Sequence, residues 1–129
     1  MLKYVGVLLT TEQLFKIASS ILQEDFEEKD SDDSFLRAYG TVQRILNGNR
    51  PKYFIHPMSI PRHSEKDEDT RFLIVCRSYD NPYETRMNYA NMPATKRDAR
   101  ILGWLKGNGM DFRQMLDQWT TMPDPAYDL

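Results

Sequence analysis

The sequence predicts an α+β domain: a small, mainly antiparallel three-stranded sheet with about four helices packed on it, in the order β-α-α-β-β-α-α. Three observations carry this. Tyr4-Val5-Gly6-Val7-Leu8-Leu9 is a short, partly β-branched apolar run and reads as a buried strand. Thr10-Thr11-Glu12-Gln13 follows at once, and Thr10 with Gln13 forms a capping-box pattern that opens a helix with almost no loop. Phe72-Leu73-Ile74-Val75-Cys76 is apolar at every position, as in a central strand covered on both faces. The element order is that of a split βαβ arrangement lacking its last strand.

Each element has its own signal. Leu14, Phe15, Ala18, Ile21 and Leu22 recur at helical spacing, so the first helix runs to about Gln23. Ser31 or Ser34 offers an N-cap for a second helix, whose buried stripe is Phe35, Tyr39, Val42 and Leu46. Gly40 weakens that helix or permits close packing, and Asn47-Gly48-Asn49 stops it. Lys52-Tyr53-Phe54-Ile55-His56 reads as an edge strand closed by Pro57. A charged loop over 61–70 leads into the central strand Arg71 to Tyr79, giving a wide antiparallel hairpin. Pro93 and Ala94 open a third helix with Ile101, Leu102 and Leu105 on its buried face, and Gly107-Asn108-Gly109 ends it. Asp111 caps a short fourth helix carrying Phe112, Met115, Leu116 and Trp119. Residues 1–121 form one domain, and 122–129 form an extended C-terminal tail.

Composition excludes several classes. The 129 residues, 40 % hydrophobic and 28 % charged, suit one globular domain and not a disordered chain. No apolar run approaches the ~20 residues of a membrane span. The apolar stretch near the N-terminus is too short for a secretory leader. Cys76 is the only cysteine, which rules out an internal disulfide and points to a reducing, cytoplasmic setting. Net charge is −2, but seven of the 19 acidic residues lie between Glu24 and Asp33. That segment is a solvated connector between helices or an acidic docking strip.

No catalytic residues, metal site or cofactor site are predicted. The chain has no Gly-rich phosphate loop and no Gly-x-Ser-x-Gly elbow. His63-Ser64-Glu65 lacks the paired cysteines of a zinc deaminase. Asp30-Ser31-Asp32-Asp33 lacks the Gly and the bidentate Glu of a calcium loop. His56 and His63, with Glu65, Asp67, Glu68 and Asp69 nearby, fit no defined ligand spacing. Cys76 sits inside an apolar run, where a thiol is inert.

Residues 80–92 carry the strongest binding signal. The stretch has no periodicity, and its Tyr, Asn, Met and Arg side chains are of the kind that interfaces select. Tyr83, Arg86, Asn88 and Tyr89 are the candidate binding residues there, unless the loop only covers the core. Arg71 and Arg77 lie at even spacing on one strand and so would share a face as an anion clamp, with Tyr53, Tyr79, Tyr83, Tyr89 and Trp104 lining a pocket between sheet and helices. Lys96, Arg97, Arg100 and Lys106 lie on the outer face of the third helix, where phosphates would meet them. Three functions follow in descending order: a non-catalytic protein–protein interaction module, a small enzyme or small-molecule-binding protein using the Tyr/Arg pocket, and a nucleic-acid binder through the 94–106 helix. The acidic pI near 5.7 disfavours the last.

Overall fold

The computed structural model describes residues 2–23, 32–48, 52–61, 68–80 and 92–123. In chain order they form β1 (Leu2–Leu9), α1 (Thr11–Leu22), α2 (Asp32–Gly48), β2 (Phe54–Pro61), β3 (Glu68–Asp80), α3 (Lys96–Gly107), α4 (Phe112–Asp117) and β4 (Trp119–Pro123). The class is α+β as the sequence predicts, but the antiparallel sheet has four strands, not three, in the order β2-β3-β1-β4. The first three strands take the places expected: β1 and β3 adjoin in the middle and β2 lies at an edge. The added strand begins at Trp119, which was expected on the last helix. That helix stops at the Gln118 cap, and Trp119 pairs with Val7 while Met122 pairs with Tyr4.

Helix starts follow the capping logic. The Thr10 hydroxyl accepts the Gln13 amide at 3.1 Å, and the Gln13 side chain accepts the Thr10 amide at 2.9 Å. Gln13 and Gln118 also exchange side-chain amide bonds at 2.9 and 2.7 Å, and Gln118 Nε2 donates to the Leu8 carbonyl. These bonds tie the start of α1 to the start of β4. Helix α3 has a second capping box, Thr95 with Asp98. Asp111 caps α4 by accepting the Arg113 amide at 2.8 Å. Helix α2 begins at Asp32, so Ser34 lies inside its first turn; Ser31 is outside the described residues.

The helices cover one face of the sheet. Val5, Val7 and Leu9 of β1, Phe72, Ile74 and Cys76 of β3, and Trp119 of β4 meet Leu14, Ile17, Val42, Leu46, Ile101 and Leu105 there. On the opposite face Leu73, Val75 and Met58 are buried among Tyr4, Leu8 and Met122. Strand β3 is therefore apolar on both sides because both sides are packed, as its composition implies.

Strand β2 is longer than predicted and runs through Pro57 to Pro61. Its outer edge explains why. The Ile55 amide donates to Gln43 Oε1 at 3.2 Å, and the Ile55 carbonyl accepts the Tyr39 hydroxyl at 3.1 Å, so α2 latches the edge. The Ile55 backbone thus faces away from β3. Pro57, two residues on, has the same orientation, and its missing N–H removes no ladder bond.

The central ladder is irregular at one place. Val5 pairs with Arg77 but Gly6 pairs with Val75, so Cys76 is an extra residue on β3, a β-bulge. Gly6 is required there by space alone: a Cβ on it would lie 1.8 Å from the Ile74 carbonyl oxygen.

Candidate functional site

The bulge decides which way Arg77 points. Phe72, Ile74 and Cys76 face the helices, and simple alternation would send Arg77 to the other side. The extra residue reverses the parity, so Cys76 and Arg77 both reach the helix face. There Arg77 Nε donates to Asp98 Oδ1 at 3.2 Å, and Nη2 lies 3.1 Å from Asp98 Oδ2. Arg77 Nη1 donates to the Tyr79 hydroxyl at 2.6 Å, Nη2 also donates to the Met92 carbonyl at 3.1 Å, and the guanidinium lies 5.8 Å from the Trp119 ring centre. Asp98, with no exposed surface, also accepts the Ala94 and Thr95 amides at 2.9 and 3.0 Å. A buried carboxylate is tolerable only when paired and hydrogen-bonded, and here both conditions hold.

Arg71 takes the other face. It pairs with Met58, on the side of Leu73 and Val75, and so does not converge with Arg77. The expectation of a clamp formed by both arginines is corrected by the bulge between them. A different arginine stands near Arg77: Arg97, expected on the outer face of its helix, is half-buried, and its guanidinium stacks 4.8 Å above the centre of the Tyr53 ring. The Tyr53 hydroxyl donates to the Arg97 carbonyl at 2.8 Å, and Arg97 Nη2 donates to the Lys52 carbonyl. Its Nε is buried and has no hydrogen-bond partner among the described residues. Lys96, Arg100 and Lys106 are exposed.

Two concavities stand out among the described residues. The first is a cleft of about 320 Å³ lined by Phe54, Val75, Cys76, Arg77, Ser78, Tyr79 and Arg97, at the point where β2 begins and β3 runs on past it. Tyr79 lines it and Tyr53 underlies Arg97, so part of the expected Tyr/Arg grouping is present. Trp104 lies elsewhere, packed against the core, with its carbonyl accepting Asn108 Nδ2 at 2.9 Å. The second is an apolar groove of about 530 Å³ between α3 and α4, lined by Met92, Pro93, Thr95, Ala99, Leu102, Gly103, Lys106 and Leu116. Met92 and Leu116 are 56 % and 40 % exposed, unusual for large apolar side chains that share one groove.

Tyr83, Arg86, Asn88 and Tyr89 lie outside the described residues, as do His63 and residues 24–31 of the acidic segment, whose last two residues, Asp32 and Asp33, begin α2. His56 is half-buried beside Tyr4, with ring centres 5.7 Å apart. Among the described residues no group of His, Cys, Asp and Glu is placed to hold a metal, and no helix is long and apolar enough to cross a membrane. Burial pushes the Cys76 thiol well above its ordinary pKa, with the nearby Asp98 charge adding to the effect. A thiol so held supplies no thiolate near neutral pH.

No protein-family model, curated protein or solved structure matches this chain. Function therefore has to be argued from this geometry.

Proposed function

We propose that the protein is a non-catalytic interaction module whose docking surface includes the α3–α4 groove. The observation that supports this reading is that exposed Met92 and exposed Leu116 line one apolar groove together with the small residues Ala99 and Gly103. A lining of small residues with flexible or branched apolar side chains suits the apolar face of a partner segment. Met92 is also the last residue of the 80–92 stretch, in which Tyr83, Arg86, Asn88 and Tyr89 are the candidate binding residues by sequence. A cytoplasmic setting is part of this reading, since the one cysteine is buried as a thiol.

The test uses two substitutions on the groove. Gly103 sits mid-helix with open space where a methyl group would go, so Gly103→Ala strengthens α3 while adding bulk to the groove lining. Leu116→Lys places a charge in that lining. A protein captured by the unaltered chain should be lost with Leu116→Lys and weakened with Gly103→Ala, although the latter melts higher. Full capture by both variants refutes the groove as the docking surface.

A further inference from the structure

The cleft where β2 begins is a second site with a different chemistry. Strand β2 pairs with β3 only as far as Phe54 opposite Val75, and Lys52 and Tyr53 leave the sheet. On its other side β3 stays paired with β1 as far as Asp80 opposite Leu2. Cys76 to Tyr79 therefore have one edge covered by β1, and no strand pairs with the other edge among the described residues. The outer edge of β2, by contrast, is latched by Tyr39 and Gln43. An open edge offers backbone donors and acceptors to an added strand.

The side chains at this edge are mainly donors. Arg97 carries its charge with no carboxylate partner among the described residues, its face is taken by Tyr53, and its Nε–H is buried and unpaired. A buried donor left unpaired is costly, so it marks a place for an acceptor. Asp98, the next residue in sequence, is already engaged by Arg77 and by two backbone amides. Ser78 adds a hydroxyl, Tyr79 retains its own O–H after accepting from Arg77, and among the described residues no acidic side chain lines the cleft. Phe54 forms an apolar wall.

We propose that this cleft binds an extended acidic peptide segment. The peptide adds to the edge of β3 that no described strand covers, at Cys76 to Tyr79, and places a carboxylate beside the Arg97 guanidinium that lines the cleft. The planar guanidinium matches a carboxylate in two parallel bonds, and the stack on Tyr53 holds it ready. This site is separate from the α3–α4 groove and does not depend on it.

The experiment titrates the isotope-labelled full chain with a capped pentapeptide, a central glutamate between valines, and reads the Arg97 Nε–H and the backbone amides of residues 76–79 by NMR. The same titration is run with the glutamine peptide and with sodium acetate, up to about 5 mM, a range suited to weak contacts. The glutamate peptide should move both sets of signals, and the glutamine peptide should bind about tenfold more weakly because a charge-assisted bond becomes a neutral one. All three titrations use the unaltered protein, so folding is not in question. Arg97→Lys, which keeps the charge but has no Nε–H, should weaken the glutamate peptide while leaving the edge amides able to report. Equal affinity for the glutamine peptide, or no movement of the Arg97 signal, overturns the proposal. Acetate binding as tightly as the glutamate peptide overturns strand addition in favour of a free small-anion site.

Discussion

Gly6→Ala should be among the most damaging small substitutions in this protein. The new Cβ would sit 1.8 Å from the Ile74 carbonyl oxygen, 2.8 Å from its carbon and 3.3 Å from the Cys76 nitrogen, all backbone atoms. A carbon and a carbonyl oxygen tolerate roughly 3.3 Å, so the strands must part by about 1.5 Å. Neither has room to move. Strand β1 is held by β4 on its far side, where Gly6 pairs with Thr120, and β3 is held by β2. The strain must be met by breaking the ladder around Val5–Arg77 and Val7–Ile74. Two ladder bonds at about 1 kcal/mol each, plus about 1–3 kcal/mol for buried groups left unpaired, give a loss on the order of 3–5 kcal/mol. Domains of this kind have about 5–15 kcal/mol in total. Urea unfolding followed by tryptophan fluorescence reads the effect, since Trp119 is buried beside β1. The expected result is a midpoint far below that of the unaltered chain with an unchanged slope. A loss under about 1 kcal/mol would show that the bulge relaxes freely and that Gly6 does not set it.

Other outcomes follow from the same geometry. Gly40 lies mid-helix in α2 with open space where a methyl would go, so Gly40→Ala should stabilise by about 0.5–1 kcal/mol in the same urea assay. Asp98→Ala strips Arg77 of its partner and the Ala94 and Thr95 amides of their acceptor, and should cost about 3 kcal/mol or more, since it leaves a cation 11 % exposed without its carboxylate. Val75→Asp puts an unpaired carboxylate at a position 1 % exposed and should abolish soluble folded protein; a cooperative melt would contradict the packing of the second sheet face. Burial raises the Tyr39 and Tyr53 hydroxyl pKa values above their ordinary level near 10. The folded state then holds these protons more tightly, so their contribution is complete below about pH 10 and is lost as pH rises through the raised values. Urea midpoints should therefore fall as pH rises above about 10, and Tyr53→Phe should flatten part of that fall. Cys76 should react with alkylating reagents only at the rate at which the chain opens.

Much of the fold was legible because its signals are local. The Thr10 capping box, the Gln23 end of α1, the Asp111 cap and the apolar run of β3 each follow from a few adjacent residues. Strand β4 was missed because Thr120-Thr121 is a short β-favouring pair next to Pro123, and a proline at that place reads as the start of a tail. Only pairing with β1, more than a hundred residues away, makes it a strand. The α3–α4 groove was not foreseen: Leu116 was expected only as part of the last helix, and nothing in the sequence brings it and Met92 to one groove.

The arginines show where residue spacing fails and why. Alternation along a strand holds only while the ladder is regular, and one extra residue at Cys76 reverses it for everything that follows. Arg77 thereby leaves the face of Arg71, enters the helix layer and meets Asp98, which also completes the Thr95 capping box of α3. That contact fixes the first turn of α3, and the first turn carries Arg97 onto Tyr53 at the mouth of the cleft. Gly6, the residue that lets the strands close at the bulge, is thus the remote cause of the cleft's charge. The substitution Gly6→Ala should disturb the Arg97 Nε–H signal before the sheet melts, in any condition where the variant still folds. An Arg97 signal unchanged in a folded Gly6→Ala variant would break this chain of cause at the bulge.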